Sequence, residues 1–116
     1  MKSLEDIRQR AAAFAAERDW QQFQSPKNLA MALSVEVSEL LEHFQWLSEA
    51  QSRELDAEQL QAVADEIADV QLYLVRLADE LGVDILQAVA RKAVLNEAKY
   101  PADQVRGSAK KYDRYK

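Results

Sequence analysis

An all-α fold is predicted by three features of this 116-residue sequence: it has only two glycines and two prolines, it is rich in alanine, leucine, glutamate and glutamine, and its apolar residues recur at intervals of three and four. Long helices joined by short connections satisfy all three. The length fits one domain and leaves no room for a second catalytic one.

Ser3 caps a first helix with Asp6 reaching back, and Leu4, Ile7, Ala11, Phe14 and Arg18 mark one face of it. The segment DWQQFQSPKN follows. Within it Ser25 and Pro26 occupy cap and first-turn positions of a second helix, expected to run to about Ser48. Trp20 and Phe23 lie in the bend, either as hydrophobic staples between helices or as the wall of a ligand pocket. In the second helix Leu29, Leu33, Val37, Leu40, Leu41, Phe44 and Leu47 spread beyond one stripe, as in a helix with several neighbours. A polar connection, SEAQSRELD, leads to Asp56, which caps a third helix with Gln59 as reciprocal partner. Gly82 closes that helix in a left-handed cap. Its apolar positions, among them Val63, Ile67, Val70, Leu74, Val75 and Leu81, exceed what one intrachain neighbour hides, so an oligomer is expected. Asp84 starts a fourth helix, with Gln87 three residues on, and Tyr100 and Pro101 end it. Residues 1–101 form the domain, and residues 102–116 are read as a polar, basic tail rather than a further core helix.

Fifteen basic against twenty acidic side chains give a net charge of −5, which opposes nonspecific binding to nucleic acid polymers or anionic membranes. The absence of cysteine excludes disulfides, thiolate metal sites and cysteine nucleophiles. No apolar run approaches the roughly 20 residues that span a bilayer, and charges interrupt the first ten positions, so a cytoplasmic protein is expected.

The chemistry lies in the acids. Glu36 and Glu39 stand three residues apart on the second helix, and Glu66 and Asp69 repeat that spacing on the third, so each pair projects from one face. Taken alone, such pairs are common on solvated surfaces. Here they sit in LAMALSVEVSELL and VADEIADVQLYLV, where apolar residues occur on nearly every side. Carboxylates gathered near a packed interior repel one another and lose hydration, and magnesium with its hard oxygen ligation would hold them ionised. Diphosphate oxygens could complete the coordination, without a glycine-rich loop or a large basic patch.

The segments EVSE (36–39) and EIAD (66–69), with ERDWQQFQSPKNLAMALSVEVSELLEHFQWL, DEIADVQLYLVRLADELGVD and KAVLNEAKYP around them, resemble the MazG-like all-α pyrophosphohydrolase superfamily, in the branch of the dCTP pyrophosphatases. The likeness runs from about residue 4 to 101. It implies a four-helix bundle assembled as a homotetramer, and a magnesium-dependent hydrolysis of a nucleoside triphosphate, dCTP or a related pyrimidine nucleotide, to monophosphate and pyrophosphate. Glu36, Glu39, Glu66 and Asp69 become magnesium ligands, with Glu39 favoured as the base and Glu36 more purely a ligand. Asn96 and Tyr100 become substrate contacts, Lys92 would face phosphate, and Trp20 and Trp46 fall at base-recognising positions. Members of this branch often carry histidine directly after the Phe of the bend, whereas this chain has Gln24, which leaves base preference open.

Independently of the resemblance, Lys92, Asn96 and Tyr100 recur every four residues and share one helical edge, either as a ligand face or as a plain exposed one. Trp46 and Tyr73 each follow a proposed ligand by seven residues, a spacing more often found for core aromatics, with stacking on a base as the alternative. His43, the single histidine, lies one turn beyond Glu39 and is read as a helix-surface or interface residue, with a ligand role as the alternative. Two other functions fit the same acids: a dUTP or modified-nucleotide hydrolase, and a non-enzymatic helical interaction module.

Overall fold

The computed structural model describes residues 1–109, so the end of the predicted tail, residues 110–116, lies outside the described residues. The fold is all-α. Four long helices, α1 (Leu4–Glu17), α2 (Pro26–Glu42), α4 (Ala57–Leu81) and α5 (Ile85–Lys99), are accompanied by two single-turn helices, α3 (Glu49–Ser52) and α6 (Ala102–Val105). The chain divides into two compact units, Met1–Gly82 and Val83–Lys116.

In the first unit α4 packs against both α1 and α2. The buried side chains are Ala11 and Ala15 of α1, Leu29 of α2, and Val63, Val75 and Ala78 of α4, with Leu29 only 1% exposed. Small residues on α1 let it approach α4 closely. Each long helix starts where a side chain satisfies an orphan amide: Ser3 accepts from Asp6 N–H, Ser25 from Asn28, Asp56 from Gln59 and Asp84 from Gln87. At Asp56 the box is reciprocal, as expected, because the Gln59 side chain accepts from the Asp56 N–H at 3.0 Å. At Ser3 it is shifted by one residue: Asp6 Oδ2 accepts from Lys2 N–H at 2.8 Å. Gly82 ends α4 at φ 68°, in the left-handed region that costs glycine little.

Two expectations need correction. The second helix stops at Glu42 instead of about Ser48. From His43 to Leu47 the amides of His43, Phe44 and Leu47 bond three residues back, which tightens the chain into turns. Ser48 then takes an extended conformation, φ −73° and ψ 166°, to cap α3 through a full box with Gln51, and a cap residue cannot also continue the preceding helix. The polar connection SEAQSRELD therefore contains a helical turn of its own.

In the second unit α5 runs from its Asp84 cap to Lys99, and Tyr100 N–H bonds to Asn96 O at 2.9 Å. Pro101 precedes α6, a four-residue turn in the region read as tail. Among the described residues no helix is long and apolar enough to cross a membrane.

Candidate metal centre and substrate cavity

Packing of α2 on α4 brings the two acidic pairs together. One carboxylate oxygen each from Glu36, Glu39 and Glu66 lies within 4.8 Å of the others, and all three residues are half-buried. Asp69 is outside this tight group and exposed, but it lines the neighbouring cavity with Glu36, and its charge acts on both Glu36 and Glu66. Burial pushes the Glu36 carboxyl above its ordinary range, and the nearby Glu39, Asp69 and Glu66 add to the shift. Burial likewise raises Glu66, with Glu39 and Asp69 adding to it and His43 opposing it. His43 Nε2 stands 3.9 Å from Glu66 Oε1, so the histidine borders the cluster from the end of α2.

Among the described residues the buried oxygens Glu36 Oε2 and Glu66 Oε2 find no hydrogen-bond partner. Native structures rarely leave buried polar atoms unpaired, and two such oxygens from different helices, beside a third carboxylate, form a donor set suited to a hard divalent cation. The residues fit a metal centre.

A cavity of about 430 Å³ adjoins the acids, with Glu36, Asp69, Tyr73, Arg76, Trp20 and Gln24 in its wall. Its volume lies in the range of small-molecule sites. The aromatic wall is built by the end of α1. Asp19 takes φ 52°, its N–H bonds to Ala16 O at 3.1 Å, and Trp20 N–H bonds to Ala15 O at 2.9 Å, a left-handed helix ending made with Asp in place of Gly. Trp20 then meets Phe14 edge to face, centroids 5.6 Å apart, and the Arg18 guanidinium covers Phe14 at 3.7 Å. The indole is held while remaining 45% exposed. A single 3-10 turn, Gln21–Phe23, follows, and Asn28 Nδ2 donates to Phe23 O at 3.0 Å, tying the bend to α2.

The structure thus brings Glu36, Glu39 and Glu66 together, with Asp69, Trp20 and Tyr73 alongside. It does not bring Trp46 with them through helical register. Because α2 ends at Glu42, the two-turn relation between Glu39 and Trp46 does not exist, and Trp46 is 87% exposed. Lys92, Asn96 and Tyr100 belong to the second unit, where Lys92 and Asn96 lie on α5 and Tyr100 caps its end. All three are exposed.

Sequence reasoning missed Arg76. It is 5% exposed, and its guanidinium donates to Gln24 Oε1 at 3.0 Å, Asp79 Oδ2 at 3.0 Å and Glu80 Oε1 at 2.6 Å. The signal was a lone arginine in the apolar run LYLVRLADEL with acids three and four residues on, spacings that pair along a helix.

This all-α chain, with acidic pairs converging from two packed helices, matches the MazG-like family over residues 31–114 and belongs to that family. Among curated proteins it is similar to dCTP pyrophosphatase 1 of Rattus norvegicus, 47% identical over 112 residues, and to that of Homo sapiens, 45% identical over 112 residues. Both alignments cover 95% of this chain, which spans 66% of the length of those relatives. Among solved structures it is similar to a pyrophosphatase from Archaeoglobus fulgidus DSM 4304, with a TM-score of 0.79 and 41% identity, covering 84% of this chain and 91% of that one.

Proposed function

We propose that the protein is a magnesium-dependent nucleoside triphosphate pyrophosphohydrolase, acting on dCTP or a related pyrimidine nucleotide to release the monophosphate and pyrophosphate. The observation that carries this reading is the convergence of Glu36, Glu39 and Glu66 beside a cavity walled by Trp20 and Tyr73. The similarity to dCTP pyrophosphatases supports the substrate class.

Glu36, Glu39, Glu66 and Asp69 would hold magnesium, which when bound neutralises charge developing on the phosphoryl oxygens and polarises them towards attack. Glu39 takes the proton from the attacking water as the new bond forms at the α-phosphorus. The bond to the bridging oxygen breaks, and pyrophosphate leaves with the electron pair. Trp20 and Tyr73 offer aromatic surface for stacking on the base. Trp46, Lys92, Asn96 and Tyr100 enter this reading as substrate contacts on the resemblance alone, with Lys92 on phosphate.

A homotetramer also belongs to the proposal. Its support is apolar surface exposed among the described residues: Met31, Val35 and Leu41 of α2 and Leu60, Ile67 and Leu81 of α4 are all more than half exposed. A cytoplasmic location goes with the reading, since free nucleotides are the substrate. Gln24 in the cavity wall keeps a second base preference in view, dUTP or a modified nucleotide.

The test is chromatographic. With magnesium, dCTP should yield dCMP and pyrophosphate. Formation of dCDP and orthophosphate as first products would reject the mechanism, and a parallel panel of dUTP and 5-substituted nucleotides fixes the base.

A further inference from the structure

Gln24 and Arg76 come from distant parts of the chain and meet in the wall of the cavity that Glu36 and Asp69 also line. Arginine carries donors only, so the amide of Gln24 must present Oε1 to Arg76 Nε, as it does at 3.0 Å. The guanidinium cannot swing away. It is 5% exposed and anchored by Asp79 and Glu80, and Asp79 is braced in turn by Arg8 of α1 at 3.3 Å. An amide whose oxygen is engaged in this way has one remaining face, the two hydrogens of Nε2. Among the described residues no protein group accepts from them.

We propose that Arg76 is a positioning residue for base selection: it locks the Gln24 amide so that the cavity presents a hydrogen-bond donor, and this donor favours cytosine over uracil. The inference rests on the pyrophosphohydrolase reading above. Cytosine offers two adjacent acceptors, N3 and O2, on its pairing edge. Uracil also offers O2 and O4 as acceptors but carries an N–H at N3, so the selection is made where the Gln24 donor meets N3. An unrestrained glutamine can rotate its amide and greet either base, so selectivity comes from the restraint as much as from the residue. Discrimination of this kind, one well-placed polar pair against a mismatched one, is worth about 10-fold or more.

The experiment measures kcat and KM for dCTP and dUTP with magnesium on the wild-type protein and on Gln24→Glu, Gln24→Ala, Arg76→Met and the double variant Gln24→Ala/Arg76→Met. Gln24→Glu keeps the partner of Arg76 but replaces the donor with an acceptor, and the dCTP-to-dUTP ratio of kcat/KM should fall by at least about 10-fold, carried mainly by KM. Arg76→Met should move the ratio towards unity. The double variant should show the same ratio as Gln24→Ala alone, because a residue that acts through Gln24 has nothing left to position. Effects that multiply independently, or a ratio within twofold of wild type in Gln24→Glu, overturn the inference. Should Arg76→Met fail to fold, Arg76→Lys takes its place, since it keeps a cation for Asp79 and Glu80 but lacks the Nε–H that holds Gln24, and an unchanged dCTP-to-dUTP ratio in it overturns the inference. If wild-type protein hydrolyses dCTP but its selectivity is indifferent to these changes, only the inference falls; if it releases pyrophosphate from no nucleotide, the functional reading falls and takes the inference with it.

Discussion

Replacing Glu36 by glutamine should raise the stability of the metal-free protein while removing its activity. Glu36 contributes an oxygen within 4.8 Å of those of Glu39 and Glu66, and its buried Oε2 finds no partner among the described residues. Two unit charges at that separation repel by about 3.5 kcal/mol at an effective dielectric near 20, and by under about 1 kcal/mol in bulk water. The half-buried site lies between these limits, and burial together with the neighbouring carboxylates raises the Glu36 pKa in the same sense. A net gain of about 1 kcal/mol is expected for Glu36→Gln in chelator, or on the order of 4 °C in Tm for a chain of this size. Magnesium should then stabilise the variant less than the wild type, and turnover should drop at least about 100-fold, the order expected when an essential charge-stabilising group is lost. Glu66→Gln and Asp69→Asn should follow the same pattern in direction. Paired thermal melts in chelator and in magnesium, read beside pyrophosphate release, provide the assay. Near-wild-type turnover would remove Glu36 from the site. A metal-free variant destabilised by about 3 kcal/mol or more would show a structural ion-pair network instead, because breaking such a network costs that much.

Two further predictions concern the whole chain. The folded-state values of Glu36 and Glu66 are raised, so their contribution to metal-free stability is complete below the unfolded value near 4.5 and is lost as pH rises through the folded values. The Tm advantage of Glu36→Gln in chelator should therefore shrink as pH falls from 7 towards 4.5, and an advantage that is constant with pH would refute the assignment. Glu5 does not confuse this window: Arg8 holds it down to about 2, so its contribution is lost only at lower pH. Light scattering at micromolar concentration should give a tetramer, and a stable monomer near 13.2 kDa would sink the assembly.

The helices and the pairing of the acids on common helix faces were legible because both depend on local rules. Caps at Ser3, Ser25, Asp56 and Asp84 and the left-handed Gly82 are short-range chemistry, and three-residue spacing puts two carboxylates on one face whatever surrounds them. The end of α2 was not legible in the same way. Apolar periodicity continues through Phe44 and Leu47, and only Ser48 with Gln51 betrays that a new cap intervenes. Arg76 was hidden for the opposite reason. Its partners on α4 could be read from spacing, but the contact with Gln24 spans 52 residues and exists only once the bend after α1 is folded against α4.

The site also divides its tasks between structures of different stiffness. The acids stand on α2 and α4, whose mutual packing sets the positions of their backbones. That geometry would suit a metal, which needs ligands held near one another, and it carries a cost in the metal-free state, since the same packing brings like charges together. The other wall comes from a bend held by a left-handed helix ending, one edge-to-face aromatic contact, one amide on Phe23 O and one guanidinium on Gln24. A single substitution at Gln24 alters what that wall donates or accepts without replacing any residue of α2 or α4. On the proposed function, base preference can therefore change while the chemistry at phosphorus stays, with Gln24 bearing on the choice of nucleotide and the acids on the choice of bond.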